Sequence, residues 1–135
     1  MLPISTELLA TALVAGLTGL IWVPVILNRL AEMGPWTALK NPQPDVRPDA
    51  DWAYRLANAH RNALENLAIF APLAIIVHVL QTGDAMTAAA SMIFLASRAA
   101  HVVIYAFGIP LLRTIAFFIG FLCQGAMLLR VLGLA

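Results

Sequence analysis

The chain has 135 residues, of which 61% are hydrophobic and 11% charged, and its mean hydropathy is +0.87. Soluble domains carry about 25% charged residues, so this composition excludes an ordinary water-soluble fold and indicates one polytopic membrane domain over residues 1–135. A formal charge of +1 without a basic run excludes nucleic acid as a partner. The single cysteine, Cys123, excludes an internal disulfide and a zinc set, and no metal site is expected.

Four apolar stretches predict four membrane-spanning helices, since about 20 apolar residues cross a bilayer core. The first, about 8–27, has no Lys or Arg before it and is long enough to span, so it reads as a span rather than a cleavable signal. Pro24 predicts a kink near its end, and Asn28, Arg29 and Glu32 close it. A polar region follows at about 33–57. Its first part, Met33 to Asp51, holds Pro35, Pro42, Pro44 and Pro48 and predicts an irregular loop, with Asp49 or Asp51 capping the next helix. The second span covers about 64–80. Gln81 to Asp84 reads as a tight turn with Asp84 solvated. The third span covers about 86–107. Gly108-Ile109-Pro110 is a second turn that places Pro110 in the first turn of the last helix. The fourth span covers about 111–132, with Arg130 expected to anchor at headgroups.

Charge predicts the orientation. Lys40, Arg47 and Arg55 lie in or beside the first connection, flanked by Arg29 and Arg61, and Arg113 lies beside the third, while the second connection has no Lys or Arg. By the positive-inside rule the first and third connections are cytoplasmic and both termini lie on the opposite side.

The informative segment is Asn58-Ala-His-Arg-Asn-Ala-Leu-Glu-Asn66. Asn58, Arg61, Asn62 and Glu65 are spaced i, i+3, i+4 and i+7, one helix face. A polar face leading into a membrane span is costly and points to function. Arg98, His101 and Tyr105 repeat the pattern on the third span, at i, i+3 and i+7. Arg98 lies roughly 13 Å inside its helix at 1.5 Å per residue, where an unpaired guanidinium costs at least ~2.5–3.5 kcal/mol. Glu65 is the acidic residue at comparable depth, so a Glu65–Arg98 ion pair is predicted. Arg29, Arg61, His101, Tyr105 and Arg113 then exceed what one carboxylate neutralises. The surplus implies a small, hydrophilic anionic ligand near the cytoplasmic face, read in part by the donor and acceptor of Asn62, with an apolar co-substrate arriving from the bilayer. The opposite half of the bundle reads as almost purely apolar, with His78 the main exception.

These residues resemble a known family. AHRNALEN is similar to the Arg-Asn-x-x-Glu hallmark of the MAPEG family, the membrane-associated proteins of eicosanoid and glutathione metabolism, at Arg61, Asn62 and Glu65. SRAAHVVIY resembles its Arg-x-x-His-x-x-x-Tyr segment at Arg98, His101 and Tyr105, and PLLRTIAF its Pro-x-x-Arg-Ser/Thr segment at Pro110, Arg113 and Thr114. The resemblance covers nearly the whole chain. It implies an all-α integral membrane protein of the bacterial type, a four-helix bundle assembling as a homotrimer in a bacterial inner membrane and among its lipids. It further implies glutathione as co-substrate and a lipophilic small molecule as electrophile, in a transferase- or peroxidase-like detoxification reaction. On that resemblance Arg113 holds the glutathione thiolate with Thr114 assisting, while Arg29, Arg61, Asn62, Glu65, His101 and Tyr105 bind the tripeptide. One position departs: several eicosanoid enzymes of the family carry an Arg where this chain has Asn58. Arg55, one turn earlier, is either its substitute or a solvated surface charge. Two other readings stand beside this one. One is a non-catalytic lipid- or glutathione-binding member; the other is a small anion transporter, against which the polar residues stop halfway across.

Overall fold

A computed structural model describes residues 4–43 and 46–135. It is all-helical, with α1 spanning Thr6–Ala38, α2 Asp51–Val79, α3 Ala85–Phe107 and α4 Pro110–Val131. All four are long and apolar enough to cross a membrane, and they run where the four apolar stretches lie. Together with their outward-facing Leu, Ile, Val and Phe side chains, they describe a multi-pass integral membrane protein. Helical backbone pairs its own polar groups, as hydrocarbon requires, except opposite Pro24 in α1 and Pro72 in α2, which have no N–H to donate.

Helices α2 and α3 form the central pair. Each packs on the other and on both α1 and α4, whereas α1 and α4 do not touch among the described residues. The core divides into two apolar clusters. One stacks Phe70 on Phe94, ring centroids 4.0 Å apart, with Val14, Val77, Cys123 and Met127 around them. The other joins Ile21 and Val25 of α1 to Leu56, Ala59 and Ala63 of α2 and Val102 of α3. Between the clusters lies the polar layer that carries the site.

The first connection is shorter than its composition predicts, because α1 continues through residues 33–38. The one non-helical residue inside α1 is Gly34, at φ 73° and ψ 161°. Its successor, Pro35, disfavours helical backbone before it, and glycine alone enters that left-handed φ cheaply. The break therefore falls at Gly34, while Pro24 is carried within the helix. The capping expectation also changes. The N-cap of α2 is Ala50, with no side-chain cap bond of its own. Glu32 of α1 does the work from a distance, its carboxylate accepting from the backbone N–H of Asp49 at 3.1 Å and of Ala50 at 3.0 Å. Asp51 pairs instead with Arg47 at 2.7 Å.

At the opposite end, Asp84 is the N-cap of α3 in a reciprocal capping box. Its Oδ1 accepts from the N–H groups of Met86 and Thr87 at 2.9 and 3.0 Å, and its own N–H donates to Thr87 Oγ1 at 2.9 Å. These backbone donors, Thr87 first, with Arg130 beside them, hold the Asp84 carboxyl below its ordinary value of 3.8. Arg130 Nη2 lies 3.1 Å from Asp84 Oδ2, and its Nε donates to the Thr82 carbonyl at 2.8 Å. Arg130 is thus a tie between the end of α4 and the α2–α3 turn rather than a headgroup anchor alone, and Asp84 is more than a solvated turn residue. Nor is this half purely apolar: Glu7 is buried and accepts from Thr87 Oγ1 at 2.6 Å.

Candidate functional site

Start from Arg98, which is 1% exposed. The Glu65–Arg98 ion pair is absent. Arg98 Nη1 donates to Asn62 Oδ1 at 3.1 Å and Nη2 to the Ala116 carbonyl at 3.0 Å. The reason is rotational. A helix turns about 100° per residue, so once Asn62 and Asn66 point at α3 and α4, Glu65 is carried around to the outer side. There it is exposed and lines a groove of about 440 Å³ with Ile69, Phe117, Phe121 and Gln124. The Phe94 and Phe117 rings flank the guanidinium, with its Cζ 5.7 and 5.8 Å from their centroids, within cation–π range. Gly120 makes the room: a Cβ there would sit 2.7 Å from Arg98 Nη2.

The polar layer continues inward through two side chains that the sequence reading passed over. Asn66 Nδ2 donates to the Asn62 carbonyl at 2.8 Å and to Asn62 Oδ1 at 3.3 Å. Gln124 Nε2 donates to both the carbonyl and Oδ1 of Asn66, each at 3.1 Å. A lone Gln in the apolar run of α4 was the available signal, since a buried amide needs a partner.

On the other side of Asn62 lies a cavity of about 230 Å³ lined by Asn62, His101, Tyr105, Arg113, Thr114 and Phe117. Three helices supply it. The αL residue Gly108 (φ 75°) ends α3 and Pro110 opens α4, which brings the first turn of α4 back beside Tyr105. Arg113 stacks on Tyr105, its Cζ 4.5 Å from the ring centroid, and His101 meets the same ring edge-on at 5.5 Å. Thr114 donates its hydroxyl to the Pro110 carbonyl at 3.2 Å, so it faces a ligand as an acceptor unless that bond breaks. Among the described residues Arg113 has no carboxylate partner; the ion pairs are Arg47–Asp51 and Arg130–Asp84.

Of the residues singled out in the sequence, Asn62, His101, Tyr105, Arg113 and Thr114 therefore meet in one cavity. Arg61 and Glu65 are exposed and do not line it. Arg29 is elsewhere: it lines a separate cavity of about 170 Å³ between α1 and the first connection, with Trp22, Glu32, Val46, Arg47 and Ala57. Its Nε is buried without a hydrogen-bond partner among the described residues. Asn58 bonds to the Tyr54 carbonyl of its own helix at 3.1 Å. Arg55 is not its substitute within the chain. Its Nε donates to the Ala106 carbonyl at 2.9 Å, and its guanidinium packs where a Gly108 side chain would be, so it clamps the end of α3.

No curated protein matches the chain. A family model does, over residues 7–133, nearly its full length, and the chain belongs to the MAPEG family.

Proposed function

We propose that the protein is a membrane-bound glutathione transferase- or peroxidase-like enzyme in which Arg113 holds the glutathione thiolate against a lipophilic electrophile. The observation that carries this reading is a guanidinium lining a small cavity beside Asn62, His101 and Thr114, stacked on Tyr105 and unneutralised by any described carboxylate. Membership of a family that includes glutathione transferases and peroxidases supports it.

The chemistry follows from charge. A free thiol has a pKa near ~8.5 and is a few per cent ionised at neutral pH. A neighbouring cation favours the thiolate, each pKa unit corresponding to ~1.36 kcal/mol. Arg serves well because it does not deprotonate. The thiol proton passes to water; the thiolate sulfur then attacks the electrophile, and the leaving group departs with the bond electrons. Asn62, His101 and Tyr105 orient the tripeptide, and the groove along α2 and α4 that shares Phe117 with the cavity admits the apolar reactant.

A homotrimer accounts for the remaining residues. Helices α1 and α4 are the free edges of the subunit, and Glu65 is a carboxylate exposed on an apolar face, which is costly in lipid. A neighbouring copy covers that face and brings Arg29 and Arg61 toward the shared ligand. The cavity end is cytoplasmic by the positive-inside rule.

The test is turnover. In detergent-purified protein, Arg113→Ala lowers kcat/KM for glutathione addition to an aryl halide by about 100-fold, the scale for losing one group that stabilises developing charge. Full activity in that variant removes Arg113 from the role. Glutathione binding without turnover in the wild type supports instead a non-catalytic member, a reading favoured by the engagement of the Thr114 hydroxyl with its own helix.

A further inference from the structure

The orientation of the Asn62 side-chain amide follows from groups whose donor or acceptor character is fixed. An asparagine taken alone presents both an acceptor and a donor. Arg98 has only donors, so the Asn62 atom facing its Nη1 at 3.1 Å is the carbonyl oxygen. The Asn62 backbone carbonyl has only lone pairs, so the Asn66 group 2.8 Å from it is the NH2, which also reaches Asn62 Oδ1 at 3.3 Å. Asn66 therefore turns its oxygen toward Gln124, whose NH2 meets both that oxygen and the Asn66 carbonyl. Every amide in the row has one orientation. Both lone pairs of Asn62 Oδ1 are taken by internal donors, its NH2 donates to no described group, and Asn62 lines the cavity.

We propose that Arg98 is a positioning residue that acts through Asn62: it fixes the amide so that this wall of the cavity presents a donor, and the ligand group seated there is an acceptor, a carboxylate or carbonyl oxygen. The proposal rests on the glutathione reading for the identity of the ligand but not for the orientation of the amide. Arg98 itself, buried behind Asn62, touches no ligand. Its lack of a carboxylate partner belongs to this role, because a carboxylate there would take the guanidinium away from the Asn62 oxygen. Asn66 occupies the second lone pair, and Gln124 keeps Asn66 from turning over.

Two measurements separate the proposal from the ligand reading. The first is glutathione affinity in detergent for wild type, Asn62→Asp, Arg98→Lys and Arg98→Met. Asn62→Asp keeps the shape, gives Arg98 a carboxylate and turns an anionic oxygen to the cavity. It is expected to weaken binding about tenfold or more, the scale of a hydrogen bond to a charged group. Arg98→Met is expected to weaken binding similarly, and Arg98→Lys, which retains a donor, to recover part of it. Binding at wild-type strength in both Asn62→Asp and Arg98→Met overturns the proposal while leaving the glutathione reading intact.

The second measurement needs no ligand and covers an unstable Arg98→Met variant. In side-chain amide NMR of the wild type, assigned through Asn62→Asp, the Asn62 NH2 exchanges rapidly with water and the Asn66 NH2 slowly. A protected Asn62 NH2 overturns the proposal. If the wild type does not bind glutathione at all, the ligand reading falls and the amide exchange alone decides the positioning role.

Discussion

At the scale of the residue, Arg98 organises the molecule. A guanidinium in the middle of a membrane span is tolerated only when its donors are satisfied and its charge is spread. Here one amide oxygen and one backbone carbonyl take the two terminal nitrogens and two aromatic faces spread the charge, while the buried Nε has no hydrogen-bond partner among the described residues. The arrangement depends on Gly120, across which α3 and α4 approach. Gly120→Ala forces the guanidinium to move, since the new methyl would sit 2.7 Å from Nη2. The expected cost is about 1–3 kcal/mol, the usual penalty of overpacking, read as a lower midpoint of thermal unfolding in detergent. An unchanged midpoint would show that the crossing has slack. Sequence spacing predicted Glu65 as the partner of Arg98, and the structure gives Asn62 and the Ala116 carbonyl instead. The periodicity that put Asn58, Arg61, Asn62 and Glu65 on one face is about a 100°-wide stripe, and only the edge of that stripe holding Asn62 and Asn66 turns inward. Which edge wins is set by packing across three helices, and no single-helix pattern contains that information.

Among the elements, the helices were legible and their ends less so. Apolar length and the Gly108-Ile109-Pro110 turn fixed α3 and α4 within a residue of their observed bounds. The start of α2 was not legible, because its cap comes from Glu32, 18 positions before Ala50 in the chain. Asp49 and Asp51 had the right chemistry beside the right place, yet the carboxylate that reaches the free N–H groups belongs to α1. Asn28 Nδ2 holds that carboxylate at 2.8 Å, so α1 carries a prebuilt anion for the positive end of α2. Glu32→Ala is expected to loosen the first connection, seen as severalfold faster hydrogen exchange at Asp49 and Ala50 and faster proteolysis there. Glu32→Gln keeps an acceptor and should fall between. Equal protection in all three proteins would mean that the connection is held by other contacts. The tie of Arg130 to Asp84 and Thr82 was similarly hidden, since its two ends lie 46 and 48 positions apart in sequence.

For the whole molecule, the subunit is a central pair, α2 and α3, with α1 and α4 on separate flanks, and one end of the bundle holds the cavity. The family resemblance was legible across nearly the entire chain because its three motifs recur in order. The grouping of Asn62, His101, Tyr105, Arg113 and Thr114 follows from three helix faces meeting at one depth. The exposure of Arg61 and Glu65, and the placement of Arg29 in a separate cavity beside α1, did not follow from the sequence. The proposed role of Arg113 is to stabilise a bound thiolate. It is tested most directly by titrating the purified protein with glutathione at neutral pH while recording ultraviolet thiolate absorbance, for wild type and Arg113→Ala side by side. A saturable thiolate signal in the wild type that disappears in Arg113→Ala, with glutathione still bound, is the expected result. An equal signal in the two proteins, or saturable binding to the wild type with no thiolate formed, would contradict it.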